Sequence, residues 1–347
     1  MTKAPRAALS AAAIAFSAIL ASCAEPPPPV AVAPPPPPAV SLSPKLVEQA
    51  AAYRYYMDKA AAISPAFVDG ATVAEGLKVG ASYEPKQFLQ GAMAYGAIVA
   101  LQDPAFVAGV KQYAGNAQQR QQIAYEIMKD PAYVVGLSGS HSAAGMVMAA
   151  LGDDGNKFYQ AGKTVKQAAY DVQKQPWSKA DVPARDVRLM QTKALGTTPV
   201  VGDVAQTARL QQAVSGGQSL GVVGTTAAPP FTPLVIRSLA IAALGVLGHA
   251  TDANLETLNA IMVEPNVTSC ANMAKLNLYQ CLAVAKPHYE DVFCLGQHAM
   301  MDTARCVIKA SGQPEPYEPR FVPTVRENAS YKPTPPKKPA KKAAKKG

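Results

Sequence analysis

Apolar residues recur at the spacing of a helix face along most of the chain between positions 43 and 310. The first such run comprises Leu46, Val47, Ala50, Tyr53, Met57 and Ala61. Residues three and four apart share one side of an α-helix, so this run predicts a helix with one buried face. Ser43 and Pro44 precede it, and a hydroxyl residue followed by proline is a typical helix start. Because helical segments follow one another to position 310, we predict an all-α fold.

One helix-start signal recurs along the first part of this region. Its copies begin at Ser64-Pro65, Asp103-Pro104 and Asp130-Pro131, and each continues with Ala, an aromatic residue and Val. Each copy places a capping residue before a proline at the first helical position, where a missing N–H costs nothing. The copies are unevenly spaced. For residues 43–195 we therefore predict either an irregular multi-helix bundle or a degenerate repeat of helical hairpins.

The composition changes after position 195. Residues 196–230 are rich in glycine, proline and threonine, and they contain one helical pattern at 203–214. The next segment, 231–247, is apolar on every face apart from Arg237, which predicts a helix buried in a core. It is shorter than the about 20 residues that cross a bilayer. We predict a linker region at 196–230 between a helical domain at 43–195 and a helical subdomain at 231–310.

Four cysteines lie at the last two predicted helices, 271–285 and 289–309. They are Cys270, Cys281, Cys294 and Cys306. In an antiparallel hairpin, the residue numbers of any two facing residues add up to nearly the same sum. The nested pairs 270/306 and 281/294 meet this condition, whereas the crossed pairs 270/294 and 281/306 do not. Pairing within one helix fails, because residues eleven apart lie about 16 Å apart and a disulfide needs Cα atoms within about 7 Å. We predict the disulfides Cys270–Cys306 and Cys281–Cys294, an arrangement that resembles the twin-cysteine helical hairpins of small mitochondrial proteins.

The alternative use of these cysteines is a zinc site. Cys294 and His298 lie four residues apart on one helical face, with His288 close in sequence, and zinc prefers thiolate and imidazole ligands. In an exported protein, however, free thiolates are oxidised and disulfides are the default. The chain also lacks the Cys-x-x-Cys-His motif of covalent haem attachment. We therefore predict no metal and no cofactor.

The first 22 residues have the pattern of an export signal. Lys3 and Arg6 supply positive charge, residues 7–20 are apolar, and the tetrapeptide Leu-Ala-Ser-Cys occupies 20–23. The apolar run is too short to span a bilayer. This N-terminus resembles that of bacterial lipoprotein precursors, which implies cleavage between Ser22 and Cys23 and attachment of diacylglycerol and a further acyl chain to Cys23. Ala24 at the next position, by the same resemblance, implies the outer membrane. An ordinary secretory signal is the alternative.

Proline-rich segments flank the predicted helical region. Residues 26–29 and 34–38 are prolines, so we predict a stiff stalk at 23–42. A polyproline II helix rises about 3.1 Å per residue, and 24–42 should therefore extend about 60 Å. Prolines recur from position 311 onwards and predict an extended, disordered tail at 311–347. The tail ends in a cluster of lysines, which are Lys332, Lys337, Lys338, Lys341, Lys342, Lys345 and Lys346.

The positive charge of the chain is concentrated at its ends. There are 33 lysines and arginines against 24 acidic residues, a formal net charge of +9. Lys3 and Arg6 belong to the predicted signal, and the seven tail lysines account for the rest, so the helical body is close to neutral. We therefore predict no nucleic-acid partner, and we expect the tail to bind an anionic partner such as peptidoglycan or anionic lipid. A merely solvated tail is the alternative.

The common catalytic motifs are absent from the sequence. It contains no His-Glu-x-x-His, no Gly-x-Ser-x-Gly, no Ser-x-x-Lys and no phosphate-binding Gly-x-x-x-x-Gly-Lys. His141 lies between Ser140 and Ser142, but neighbours in a helix point in different directions, so we do not expect them to form a nucleophile and base. We predict no catalytic residue.

One short match nevertheless indicates an enzyme of the cell envelope. Leu189-Met190-Gln191 resembles part of the substrate-groove motif of soluble lytic transglycosylases, which are helical periplasmic enzymes. Their chemistry requires a glutamic acid upstream of that motif. The nearest one here is Glu126, which lacks the serine that follows it in the family, so Asp154 or Asp171 would have to replace it. A peptidoglycan hydrolase of this kind is an alternative interpretation.

These observations favour a non-enzymatic structural or scaffolding lipoprotein of the cell envelope. The lipid on Cys23 would hold it at the inner leaflet of the outer membrane, facing the periplasm, and the lysine tail would contact an anionic polymer or partner. We also expect a protein partner whose identity the sequence does not indicate. A helical-repeat adaptor for such a partner is the third interpretation.

Overall fold

A computed structural model describes residues 38–318 of the chain. The fourteen α-helices of this range are α1 (Pro44–Ala61), α2 (Gly70–Ala81), α3 (Pro85–Ala100), α4 (Pro104–Lys111), α5 (Ala117–Lys129), α6 (Ser140–Asp171), α7 (Pro176–Lys179), α8 (Arg185–Leu195), α9 (Val204–Val214), α10 (Pro233–Val246), α11 (Leu255–Ile261), α12 (Pro265–Val284), α13 (His288–Cys294) and α14 (Thr303–Ser311). Short 3-10 turns lie at Pro131–Gly136, Val172–Lys174 and Asp252–Asn254. A π-helical segment, Leu295–Asp302, joins α13 to α14. The all-α prediction is confirmed.

Side-chain caps explain several of the helix starts. The Ser43 hydroxyl accepts a hydrogen bond from the Lys45 amide at 3.2 Å at the start of α1. Asp103 accepts one from the Phe106 amide at 2.8 Å at the start of α4. Both helices begin with proline, which needs no partner for an N–H it does not have. The predicted starts of α1 and α4 are confirmed.

The other two copies of the repeated start signal behave differently. Asp130-Pro131 begins a 3-10 turn, and Ser64-Pro65 begins no helix, so the prediction of a helix at 65 is wrong. The start of α2 is instead at Asp69, where Asp69 and Thr72 form a reciprocal capping box. A box satisfies two backbone N–H groups, whereas Ser64 caps only the Ala66 amide. The helices therefore form an irregular bundle rather than a regular repeat.

The centre of the bundle is α3, whose residues 91–100 are all buried. α1 runs antiparallel to it and contributes Tyr53 and Tyr56, whose rings lie 5.3 and 5.4 Å from the ring of Phe88. α10 crosses α3 and is buried over most of its length, as its apolar pattern predicted. The long helix α6 packs against α1, α3 and α14. Helices before and after the predicted linker region thus share one hydrophobic core.

Residues 196–230 lie along the body of the protein. The predicted helix at 203–214 is confirmed as α9, which packs on α1. The Gln87 side chain holds the preceding loop by two hydrogen bonds of 2.7 Å to the backbone of Val200. Further along, the Ala227 amide donates to the His141 carbonyl at 3.0 Å. Gly145 of α6 allows this approach, because a Cβ there would lie 1.7 Å from the Thr225 oxygen.

The disulfide hairpin is formed by α12 and by the continuous helical stretch from α13 to α14. Cys270 is joined to Cys306 and Cys281 to Cys294, with Cα separations of 5.8 and 5.7 Å, so the nested pairing is confirmed. Eleven positions separate the two cysteines on one arm and twelve on the other. A π-helical segment accommodates one extra residue in a helix, and Leu295–Asp302 lies between Cys294 and Cys306. We infer that this segment keeps the two bridges in register.

No single helix within residues 38–318 has both the length and the apolar character needed to cross a membrane. Only α3 and α4 taken together pass such a test, and the pair is bent by 85°.

Candidate functional site

The predicted lipidation and tail residues lie outside the described part of the chain. These are Ser22 and Cys23 at one end and the seven lysines at 332–347 at the other. What the structure does describe are the two segments that lead towards these residues, 38–42 and 313–318. We call them the N-terminal and the C-terminal exit.

The N-terminal exit lies on the C-terminal end of α10. The Ser41 amide donates to the Gly245 carbonyl at 3.4 Å, and the Ser43 amide donates to the Ala250 carbonyl at 2.6 Å. Leu42 is buried in the core. The last five residues of the stalk predicted at 23–42 are therefore held on the body.

The C-terminal exit lies along α6. Gly312 adopts a left-handed conformation that ends α14, and the following residues run along α6 to Glu318. Glu318 accepts hydrogen bonds from Lys166 at 3.2 Å and from Arg305 at 2.9 Å. Partial burial acts to raise the pKa of Glu318, but the bonds from Lys166 and Arg305 outweigh it and lower this pKa. Residues 311–318, predicted as tail, are thus held on the body.

The ion pairs at this exit continue into the π-helical segment. Asp302 pairs with His298 at 2.8 Å and with Arg305 at 3.3 Å. Burial acts to raise the pKa of Asp302, yet the contact with His298 and the hydrogen bond from Gln297, together with the charge of Arg305, hold this pKa below its ordinary value. Arg305 also lies over the Tyr159 ring, 5.3 Å from its centroid. One arginine therefore joins α14, α6 and the tail exit.

Ser43 at the start of the first helix and Glu318 of the C-terminal exit are separated along the axes of α1 and α6. α1 and α6 run parallel, since Tyr53 contacts Asp154 at 3.3 Å and the rings of Tyr56 and Phe158 lie 6.0 Å apart. Arg54 of α1 pairs with Asp154 of α6, so these two residues lie at the same height along the parallel helices. From there, α1 runs back eleven residues to Ser43, and α6 runs forward twelve residues to Lys166. At 1.5 Å per residue, these two stretches separate the exits by about 30 Å.

A cleft of about 420 Å³ lies between α2, α8 and α13. Its walls are mostly apolar and include Ala74 and Leu77 of α2, Pro183 of the preceding loop, and Val187 and Leu195 of α8. His288 closes one side by packing on the start of α2. Gly70 permits this contact, because a Cβ there would lie 2.3 Å from the imidazole.

A buried ion pair forms the polar end of the cleft. The Arg188 guanidinium donates through one terminal nitrogen to Asp291 and through the other to the Leu282 carbonyl. Both side chains are at least nine-tenths buried. Burial raises the pKa of Asp291 to about 6, even though the charge of Arg188 acts to lower it. The third guanidinium nitrogen, Arg188 Nε, is buried and has no hydrogen-bond partner within residues 38–318.

The loop entering α8 adopts an unusual backbone conformation at the edge of the cleft. Ala184 has φ of 48° and ψ of 51°, a left-handed conformation that an alanine rarely adopts. No side chain caps α8 behind it. Holding a non-glycine residue in this region costs about 1 kcal/mol, and such strain is often found at functional sites.

The carboxyl groups considered for catalysis lie away from this cleft. Gln191 of the transglycosylase-like motif lines the cleft, whereas Met190 is exposed outside it. Asp154 is buried between Arg54 and Tyr53, and burial raises the pKa of Asp154 against the attraction of Arg54. Asp171 lines a different groove beside Trp177. The motif and its candidate acids are therefore not brought together.

The serines beside His141 have structural partners. Ser140 donates to the Val134 carbonyl at 2.6 Å, and Ser142 donates to Asp103, the cap of α4. The His141 ring packs edge-on to Phe231 at 5.7 Å. These contacts hold the start of α6 and leave His141 without a nucleophile beside it.

The residues of the zinc alternative are used otherwise. All four cysteines form disulfides, so none is available as a thiolate. His298 pairs with Asp302, while His288 lines the cleft. No group of three or more His, Cys, Asp and Glu side chains within residues 38–318 is arranged to hold a metal ion.

The sequence did not indicate the cleft itself. Arg188 and Asp291 are separated by 103 positions, and neither belongs to a recognisable motif. The sequence showed only Pro183 and Ala184 before an amphipathic helix that contains Arg188. This pattern is too common to identify a site.

Comparison of the chain with protein-family models, with curated proteins and with solved structures finds no match.

Proposed function

We propose that this protein is a non-enzymatic lipoprotein of the bacterial cell envelope that spaces a membrane from an anionic envelope polymer. The lipid on Cys23 anchors one end, and the lysine-rich tail binds the polymer at the other. The helical body between them is a rigid spacer.

The separation of the two chain exits supports this proposal most directly. A spacer must release its two binding ends at opposite sides, and here the exits are about 30 Å apart along the direction of α1 and α6. Each exit is fixed to the body, by hydrogen bonds to the end of α10 at one side and by the Glu318 ion pairs at the other. The near-neutral body leaves the tail lysines as the main source of attraction for an anion.

The lipid anchor is tested by fractionating cells that produce the protein. We expect Cys23→Ala to move it from the membrane fraction to the soluble fraction, because the acyl chains provide the membrane affinity. Ser22→Ala keeps a small residue before the cysteine and should stay in the membrane fraction. Membrane association of Cys23→Ala equal to that of the wild type would contradict the anchor.

The tail is tested by co-sedimentation with purified peptidoglycan sacculi at low salt. Deletion of 332–347 should abolish binding, as should replacement of the seven lysines by glutamine. Replacement by arginine keeps the charge and should keep the binding, which should fall as salt is added. Unchanged binding after the deletion would refute the role of the tail. Release of soluble fragments from the sacculi by the wild type would favour the hydrolase interpretation instead.

A further inference from the structure

An apolar groove lies beside the Cys281–Cys294 disulfide, where the end of α6 meets α12 and α13. Its volume is about 410 Å³, and its walls include the rings of Tyr170 on α6 and Phe293 on α13. Tyr170 is half exposed, and Val284 at the end of α12 is 74% exposed. Apolar side chains that are grouped in a groove and open to solvent favour an apolar occupant. We call this site the aromatic groove.

The C-terminal exit ends at the edge of the aromatic groove. Glu318 is bound by Lys166, whose ammonium nitrogen also lies 5.9 Å from the centroid of the Phe293 ring. Phe293 in turn packs on Tyr170, which lies one turn of α6 beyond Lys166, and their ring centroids are 6.4 Å apart. The last described residue of the chain is therefore held by a side chain that touches a wall of the groove.

The exit also runs towards the groove. Its first residue, Gln313, lies beside Gly152 of α6, because a Cβ on Gly152 would be 2.6 Å from the Gln313 side chain. Its last residue, Glu318, lies beside Lys166 of the same helix. The exit thus follows α6 towards the C-terminal end of this helix, where the aromatic groove begins.

The segment after Glu318 has the length needed to enter the groove. A polyproline II chain advances about 3.1 Å per residue, so Phe321 would lie about 9 Å beyond Glu318. This distance equals about six residues of an α-helix. Measured from Lys166, it brings Phe321 level with Tyr170 and Gln173, which both line the groove.

The spacing of prolines indicates which side chains of this segment face the body. Prolines at 314, 316, 319 and 323 favour a polyproline II helix, which has three residues per turn. Exposure in the exit follows this period, since 313 and 316 are partly buried and 314 and 317 are exposed. The same period places Val322 on the partly buried side and Phe321 on the side of Glu318. Both apolar side chains of 319–323 would therefore face the body.

The charges of the groove and the segment are complementary. Glu290 lines the groove, and its carboxylate accepts a hydrogen bond from the Lys286 amide at 2.8 Å. It forms no ion pair with any residue from 38 to 318. Arg320 precedes Phe321 and would bring a cation to this groove. A surface pair of this kind adds little affinity, but it favours a basic apolar segment over an acidic one.

We propose that the aromatic groove binds the chain's own segment 319–323, Pro-Arg-Phe-Val-Pro, and that Phe321 covers the Cys281–Cys294 disulfide. The unbound part of the tail then begins after residue 323 rather than at 311. This inference does not depend on the lipid anchor or on the tail lysines.

The rate at which dithiothreitol reduces the Cys281–Cys294 disulfide measures this binding. Cys281 is partly exposed and lines the groove, and reduction requires a thiolate to reach a sulfur of the bridge. Alkylation and peptide mapping of the folded, full-length protein follow both disulfides. Phe321→Ser should raise the initial rate at this bridge about tenfold, because it uncovers the sulfur. The rate at Cys270–Cys306 should stay unchanged.

Matched variants identify the side chain responsible. Phe321→Leu keeps an apolar side chain and should keep most of the protection. Tyr331→Ser removes an aromatic residue elsewhere in the tail and should leave the rate unchanged. Equal rates in Phe321→Ser and the wild type would overturn the proposal, and so would an equal acceleration by Tyr331→Ser.

The dependence on protein concentration distinguishes the chain's own segment from that of a second copy. Binding within one chain does not depend on concentration, so protection should be constant over about a hundredfold range. Protection that increases with concentration would overturn the proposal and assign the groove to a second copy of the chain.

Discussion

The ammonium nitrogen of Lys275 lies 3.8 Å from the centroid of the Tyr83 ring, in the interior of the protein. The same nitrogen donates to the carbonyl of Ala81, the last residue of α2. Burial lowers the pKa of Lys275 to about 7, although the charge of Glu84 acts to raise it. A lysine of α12 thus closes the end of a helix almost 200 positions earlier, and its protonation is linked to folding.

Lys275 should make the free energy of unfolding depend on pH. The unfolded lysine has its ordinary pKa of 10.5, so between about pH 7 and 10.5 the unfolded chain binds a proton that the folded protein does not. Stability therefore rises with pH in this window, by about 2–3 kcal/mol between pH 6 and 9. Urea unfolding of Lys275→Met should lack this rise, whereas Lys157→Met, at an exposed position, should keep it. The same pH slope in Lys275→Met and the wild type would show that the folded protein binds the proton at an ordinary pKa.

The two disulfides should differ in how much they stabilise the fold. The Cys270–Cys306 bridge spans 36 positions and the Cys281–Cys294 bridge spans 13. On the chain-entropy account, removing the first by a double Cys→Ala change costs about 4 kcal/mol and removing the second costs about 3 kcal/mol. Urea unfolding measures both losses. Peptide mapping without reductant should find both bridges in the wild type and in Cys23→Ala, and a free thiol at Cys281 or Cys294 would contradict the structure.

The ion pairs of Glu318 should hold the C-terminal exit on α6. Glu318→Gln removes the charge that Lys166 and Arg305 share, so the backbone order parameters of residues 315, 317 and 318 should fall below those of the wild type. Glu315→Gln changes an exposed residue of the same segment that contacts neither of these cations, and the order parameters should stay as they are. If both variants have the order parameters of the wild type, the exit is held by other contacts.

Ala184→Gly should stabilise the protein. Glycine adopts the left-handed conformation of residue 184 without the clash that alanine experiences, so we expect a gain of about 1 kcal/mol in the free energy of unfolding. Ala180 lies four residues earlier in an extended conformation, with φ of −67°. There, Ala180→Gly should lower the free energy of unfolding by about 0.5–1 kcal/mol, because glycine raises the conformational entropy of the unfolded chain and relieves no strain in the folded one. A loss of stability in Ala184→Gly would mean that the turn carries no strain.

Local rules accounted for much of the architecture. Ser43 and Asp103 act as caps because their side chains satisfy amides two or three residues away, which the sequence displays directly. The nested disulfides followed from the spacing of four cysteines. The one-residue difference between the two arms was visible as well, and the π-helical segment is its structural expression.

Contacts between distant segments account for what the sequence did not indicate. Ser64-Pro65 carries the same signal as Asp103-Pro104, but Phe67 enters the core from an extended segment, and Asp69 then offers the better cap. The cleft joins residues from α2, α8 and α13, and its ion pair has no local signature. Position 184 is an alanine, whereas a left-handed turn is usually marked in the sequence by a glycine.

The Cys270–Cys306 bridge also determines how the protein would respond to a mechanical load. A pull applied between the two ends of the chain, as the proposed spacer function requires, would detach Glu318 from Lys166 and then unwind α14 from its end. Unwinding would stop at Cys306, because the covalent bond to Cys270 passes the load to α12. The bridge acts as a mechanical stop, so the fold behind it can bear a pull that ion pairs alone would not resist.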